Sequence, residues 1–248
     1  MAKSITIDMG NENPITIETG KLALLANGAV TVRQGDTIIL VTACSGGVRE
    51  GMDFFPLQVS YREKYSANGT YPGGFIKREA RPSEKEVLIG RMTDRPIRPL
   101  FPKGFYNEVQ IQCLLLSFDG VNDPDVLAML GSSAALTLSD LPFNGPTGSV
   151  RVGRVNGELV VNPTIEQMKE SDLELIYSGI EDKVIMIEGD SSELSEEELY
   201  EALKFANEKV KIQVAALRAF GAENGKEIIE RELGVVAEDA IAAMKAAT

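Results

Sequence analysis

Residues 75–101, FIKREARPSEKEVLIGRMTDRPIRPLF, hold the side chains of this chain best suited to chemistry. They crowd Lys77, Arg78, Arg81, Lys85, Arg91, Arg95 and Arg98 together. From Tyr61 to Gly104 there are ten Lys/Arg against five Asp/Glu, whereas the whole 248-residue chain carries 25 against 37, a net charge of −12. Like charges repel, so a reversal this local points to a polyanion site. Arg91 and Arg95 are four apart, which puts both on one face of a helix, and Arg98 follows just beyond. Guanidinium forks on a rigid element suit bidentate phosphate contacts. Phe75 ends a loop dense in Gly, Asn and Pro (SANGTYPGG, 66–74) and adjoins Lys77 and Arg78. An aromatic beside cations on such a loop suits stacking on unpaired bases while the cations hold the backbone. The competing reading pairs these arginines with Glu79, Glu84, Glu86 and Asp94 in a structural network or subunit interface.

Other chemistry is restricted. The chain has no histidine, which removes the commonest general base, the usual nucleophile-activating triads and most zinc sites. Leu130–Ala135 (LGSSAA) is similar to the second half of the phosphate loop of small-molecule kinases related to homoserine and mevalonate kinases, PxxxGLGSSAA. In that reading Gly131-Ser132-Ser133 would cradle phosphate at a helix N-terminus. Met129 and Asp125 stand where the pattern has Gly and Pro, however, and small residues also serve close helix–sheet packing. Asp172 and Glu174, with Glu166 and Glu170 upstream, could hold Mg²⁺ or form a solvated acidic surface.

The elements that must position these groups are legible in outline. Strands are expected at Ser4–Ile7, Ile15–Glu18, Ala29–Arg33, Leu57–Tyr61 and Val109–Ser117. Thr37–Cys44 (TIILVTAC) reads as a fully buried central strand. Ser83 and Glu86 form a capping box that opens a helix running to about Asp94, stopped by Pro96. Asp125–Thr137 reads as a buried helix. Asn156-Gly157 joins Gly148–Val155 to Glu158–Val161 as a hairpin, and Leu173–Ser178 pairs with Lys183–Glu188 around Gly179. Ser195 and Glu198 open a long helix to about Phe220, closed by Gly221. Short helices are expected at Lys226–Leu233 and from Ala237 to the end. Cys44 and Cys113 lie in apolar strand-like runs and read as buried free thiols of a reducing compartment. With no apolar run of about 20 residues and no secretory leader, a cytoplasmic protein is expected.

At residues 73–105, GGFIKREARPSEKEVLIGRMTDRPIRPLFPKGF, the chain closely resembles the loop and helix of the first ribonuclease-PH-like domain of bacterial polynucleotide phosphorylases. The resemblance continues through FNGPTGSVRVGRVNGELVVNPT and KESDLELIYSG and covers nearly all of residues 1–220. It implies an α/β (α+β) ribonuclease-PH-like βα sandwich, resembling the ribosomal protein S5 domain 2-like fold, with a C-terminal helical appendage. Residues 1–220 would form the first domain and 221–248 the start of a helical linker, with a second core domain and small RNA-binding domains lying elsewhere. It further implies 3′-to-5′ phosphorolysis of single-stranded RNA, inorganic phosphate as co-substrate, Mg²⁺ in the complete enzyme but not on this chain, a homotrimeric ring, and contacts with RNA-degradation proteins. Neither DNA nor membrane is implied as a partner. Phe75, Ile76, Lys77 and Arg78 match the family's channel loop, with Ile76 in place of a second aromatic, and Arg91, Arg95 and Arg98 match its RNA-contacting arginines. The turn Asn122-Asp123-Pro124-Asp125 stands where the family's catalytic domain has a serine-rich phosphate turn, so no catalytic residue is expected here. A stand-alone RNA-binding ring module is the alternative, and a kinase built on Gly131-Ser132-Ser133 a more distant one.

Overall fold

A computed structural model describes residues 2–73, 75, 77–79, 81–234 and 244. The chain opens with a meander of β1 (Lys3–Ile7), β2 (Ile15–Thr19), β3 (Gly28–Gln34) and β4 (Thr37–Val48). Then come β5 (Leu57–Glu63), helix α1 (Glu84–Ile97), β6 (Asn107–Ser117) and helix α2 (Asp125–Thr137). The second half comprises β7 (Gly148–Val155), β8 (Glu158–Val161), α3 (Ile165–Lys169), β9 (Leu173–Ile180), β10 (Lys183–Ser191) and α4 (Glu196–Asn224).

The strands make two sheets, ordered β1-β2-β3-β4-β6-β5 and β10-β9-β7-β8. Among the described residues every pairing is antiparallel except β5 with β6, which a crossover containing α1 makes parallel. Helix α2 packs against β3 and β4 of the first sheet and β7 of the second. Being covered on both sides, it is buried from Asp125 to Leu136. Its small residues permit the close approach: a Cβ on Gly131 would lie 2.8 Å from the Cγ2 atoms of Val32 and Val41. Ser132 donates to the Ala128 carbonyl at 2.7 Å, and Ser133 accepts from the Thr147 amide at 2.7 Å. Gly131-Ser132-Ser133 is thus mid-helix and buried, with its hydroxyls already employed, and the kinase-loop reading fails.

Several boundaries differ from expectation. Strand β4 alternates buried and half-buried residues, since an antiparallel sheet with its helix on one face buries only that face fully, and Cys44 is exposed. Cys113 is buried, and burial pushes its thiol up to about 12. Helix α1 runs through Pro96 to Ile97, because Pro96 forfeits one bond in the last turn while burial of Pro96 and Ile97 holds that turn in place. The β9–β10 turn falls at Glu181-Asp182, beyond Gly179. Helix α4 passes Gly221 and ends at Gly225, whose amide bonds to the Gly221 carbonyl at 2.7 Å. Gly221 instead admits Thr137, whose Cγ2 would lie 2.6 Å from an added Cβ.

Residues 226–234 form no helix. Their amides go elsewhere, Lys226 to Leu138, Ile229 to Asp140 and Gly234 to Gly104, so the segment lies as an extended strap. Apart from Met244, the helix expected from Ala237 falls outside the described residues.

Candidate nucleic-acid interface

Helix α1 starts where Ser83 accepts from the Glu86 amide at 3.2 Å and Glu86 accepts in return from the Ser83 amide at 2.5 Å. The other Glu86 oxygen accepts from the Glu63 amide at 2.9 Å, tying the first turn of α1 to the end of β5. At the far end Arg98 donates to the carbonyls of Phe55 at 3.0 Å and Leu57 at 3.1 Å. The two ends of β5, an edge strand, are therefore fastened to α1 and Arg98. Between helix and strand runs a groove of about 510 Å³, lined by Gln58, Ser60, Val87, Arg91, Asp94 and Arg95 among others.

The expected site residues fall into distinct groups. Arg91 and Arg95 share this groove. Arg91 is exposed and has no ion pair among the described residues, while Arg95 pairs with Glu188 of β10. Arg98 also binds both Asp94 oxygens and lies 5.7 Å above the Phe55 ring, so its guanidinium is committed to the fold, as the competing structural reading anticipated. Phe75 is fully exposed, and Lys77 and Arg78 are exposed beside it. Arg78 lines a second groove, of about 590 Å³, with Arg62, Lys64, Tyr65, Arg81 and Ser83. Ile76 lies outside the described residues.

Sequence reasoning missed Arg151, which organises the start of α2. Its guanidinium, 12% exposed, is an ion-pair partner of Asp125, of Asp123 at 3.4 Å and of Glu174 at 3.4 Å. Asp125 is buried at the start of α2 and accepts from the Val126 amide at 2.6 Å. Burial and the neighbouring Asp123 carboxylate push Asp125 up to about 6, against the pull of Arg151. Burial opposes the charge on Arg151, but Asp125, Asp123 and Glu174 outweigh it and hold its pKa above the usual value. A charged residue amid the apolar strand run Gly148–Val155 was the available signal.

The turn before α2 is fixed by Asp119, which accepts from the amides of Val121 and Asn122 at 2.8 and 2.9 Å, and from Thr37 Oγ1 at 2.9 Å. Burial alone would raise its pKa, but these bonds draw it well below the carboxylate range. An anion approaching the N-terminus of α2 thus meets Asp125 already in place. The carboxylates also do not fit a divalent cation. Asp123 and Asp125 are held by Arg151, and Asp172 by Arg154 at 2.6 Å. No group of three or more metal-capable side chains occurs among the described residues.

Residues 12–142 match domain 1 of the 3′ exoribonuclease family (RNase PH), and residues 145–209 match its domain 2. The chain belongs to this family. Among curated relatives it is 56% identical to the polyribonucleotide nucleotidyltransferase of Akkermansia muciniphila over 84% of this chain. It is 53% identical to the enzyme of that name from Caldicellulosiruptor saccharolyticus over 91%. These matches cover 29% and 32% of the relatives, so the chain spans about a third of their length, and it resembles their N-terminal core. Two solved structures share the fold. A chain of the Archaeoglobus fulgidus exosome with RNA bound to the active site has TM-score 0.62 and 19% identity over 85% of both chains. Rice (Oryza sativa) Rrp46 has TM-score 0.66 and 14% identity over 84% of this chain and 94% of its own.

Proposed function

We propose that this chain is the first core domain of a 3′-to-5′ phosphorolytic exoribonuclease, guiding single-stranded RNA to a phosphorolytic site on a second core domain. One observation carries the division of labour. The anion position at the start of α2 is filled by Asp123 and Asp125 locked onto Arg151, whereas Arg91 stands open in the groove beside β5.

In this reading Arg91 and Arg95 take phosphates, Arg95 exchanging Glu188 for the strand. Phe75, Ile76, Lys77 and Arg78 form the loop that meets the bases and backbone ahead of them. Arg98, paired with Asp94, braces β5 beside the groove and contributes to RNA contact through the position it gives that strand. Residues 1–220 would form the core unit, with α4 running on to Asn224, and 221–248 would lead toward a helical linker. The complete enzyme would be a cytoplasmic homotrimer using Mg²⁺ and inorganic phosphate and associating with RNA-degradation proteins. Asp123, Asp125 and Asp172 are already engaged by Arg151 and Arg154, which supports a reading in which Mg²⁺ is held by the second domain.

The test is to incubate the chain with poly(A), phosphate and Mg²⁺, with and without a separately produced second core domain, and to measure ADP. Release is expected only when both halves are present. Robust ADP release by this chain alone would refute the placement of the active site. RNA binding with no ADP from either mixture would favour a stand-alone RNA-binding module.

A further inference from the structure

Tyr65 carries an aromatic side chain without structural employment on a backbone that is held in place. It opens a single turn of 3-10 helix, Tyr65–Asn68. Its amide donates to Glu79 Oε1 at 2.9 Å, and its carbonyl accepts from the Thr70 amide and the Thr70 hydroxyl, each at 3.1 Å. Glu79 is held in turn by Lys64. Yet the residue is 51% exposed, and among the described residues its hydroxyl has no hydrogen bond and its ring no aromatic partner. The ring lines the groove that contains Lys64, Arg78 and Arg81. That groove meets the Arg91–Arg95 groove at Glu86, which lines both. The two run end to end along β5, whose seven residues span about 20 Å.

We infer that the RNA path continues past Glu86 into a second base-stacking subsite, with Tyr65 as its platform and Arg78 and Arg81 beside it for the adjoining phosphates. This rests on the RNA reading above and adds a contact that reading does not need. A ring on a pinned backbone loses little freedom when a base stacks on it, and stacking tolerates any base because each has a π-face. The subsite is therefore selective for unpaired strands and indifferent to sequence.

The test titrates the 248-residue chain with a labelled short oligo(A) at several salt concentrations, using wild type, Tyr65→Ala and Tyr65→Phe. Tyr65→Ala should weaken binding by about 5- to 150-fold, the range for removing one stacking partner. The slope of log K against log salt should not change, since no charge is removed. Tyr65→Phe should bind like wild type, and an oligonucleotide carrying abasic sites should abolish the difference between Tyr65 and Ala. Matching thermal melts establish that the half-exposed ring is dispensable for folding. Binding by Tyr65→Ala within about twofold of wild type, or a penalty that persists on abasic oligonucleotides, overturns the subsite alone. Failure of the wild-type chain to bind overturns the subsite and the RNA reading together. Wild-type binding whose salt slope is unmoved by Arg91→Ala with Arg95→Ala overturns the continuous path past Glu86, and with it the subsite as an extension of that groove.

Discussion

Arg151→Met tests whether the acidic turn before α2 is a structural device. The substitution keeps an unbranched apolar stem and removes the guanidinium from a site where Arg151 is 12% exposed and Asp125 only 3% exposed. Asp125 would then be a buried carboxylate next to Asp123 with no cation against it. Removing one partner of a buried pair costs about 3–5 kcal/mol, largely through the charge left behind. Asp125 is also raised to about 6 in the folded chain, above its ordinary value near 4. Between those two values the native state holds the extra proton, so the contribution of this group to stability falls as pH rises through that window. Arg151 limits the penalty that remains above pH 6. The loss on Arg151→Met should therefore be largest near pH 8 and should shrink toward pH 5, where Asp125 is neutral. Asp125→Asn in the same background should recover much of it. Urea denaturation of the single and double variants at both pH values gives the numbers. A loss under about 1 kcal/mol, or one equal at pH 5 and pH 8, would refute the reasoning.

Arg91→Ala and Arg95→Ala should each weaken single-stranded RNA binding and flatten its salt dependence by about 0.7 for every phosphate no longer neutralised, as read from Kd against salt. Arg95→Ala should show the smaller change, because wild-type Arg95 must first leave Glu188. Asp119→Ala should destabilise the fold by about 3 kcal/mol in a urea melt, since several donors lose a charged acceptor. With its folded pKa depressed, the Asp119 contribution is full above the ordinary carboxylate value near 4 and is lost as pH falls below it. The wild-type and Asp119→Ala melts should therefore converge in acid. Gly131→Ala should cost about 1–3 kcal/mol in thermal melts despite the better helix propensity of Ala, because Val32 and Val41 lie too close.

What the sequence made legible follows how local each determinant is. Ser83 with Glu86 and Ser195 with Glu198 set the starts of α1 and α4, because a capping box is complete within four residues. Thr164 with Gln167 is the same signal, and it opens α3, which the strand-centred reading passed over. Helix ends were less legible because packing decided them. Pro96 is overruled by the burial of Ile97, and Gly221 answers to Thr137 rather than to a helix terminus. A helix is expected over Lys226–Leu233, but the carbonyls of Leu138, Asp140 and Gly104 claim amides of that segment. Of the candidate site, the shared face of Arg91 and Arg95 could be read from their spacing. The commitment of Arg98 to Phe55 and Leu57 could not, since those partners lie some forty residues upstream. Arg151 was obscured in the same way, its carboxylates coming from two other elements.

The single parallel pairing among the described strands has a kinetic consequence. Strands β1 to β4 zip as successive hairpins, each closing a short loop. Strand β5 must wait for β6, and everything between Glu63 and Asn107 has to be threaded across first. That crossover is the basic window itself, from the loop of Phe75 through Arg91 and Arg95. The groove is therefore expected to be completed late in folding, and faster hydrogen exchange in β5 and α1 than in β1 to β4 would show that it opens while the meander stays closed. A strand of RNA lying between α1 and β5 would act as a clasp on this late-forming edge, lengthening the lifetime of the folded crossover rather than merely occupying it.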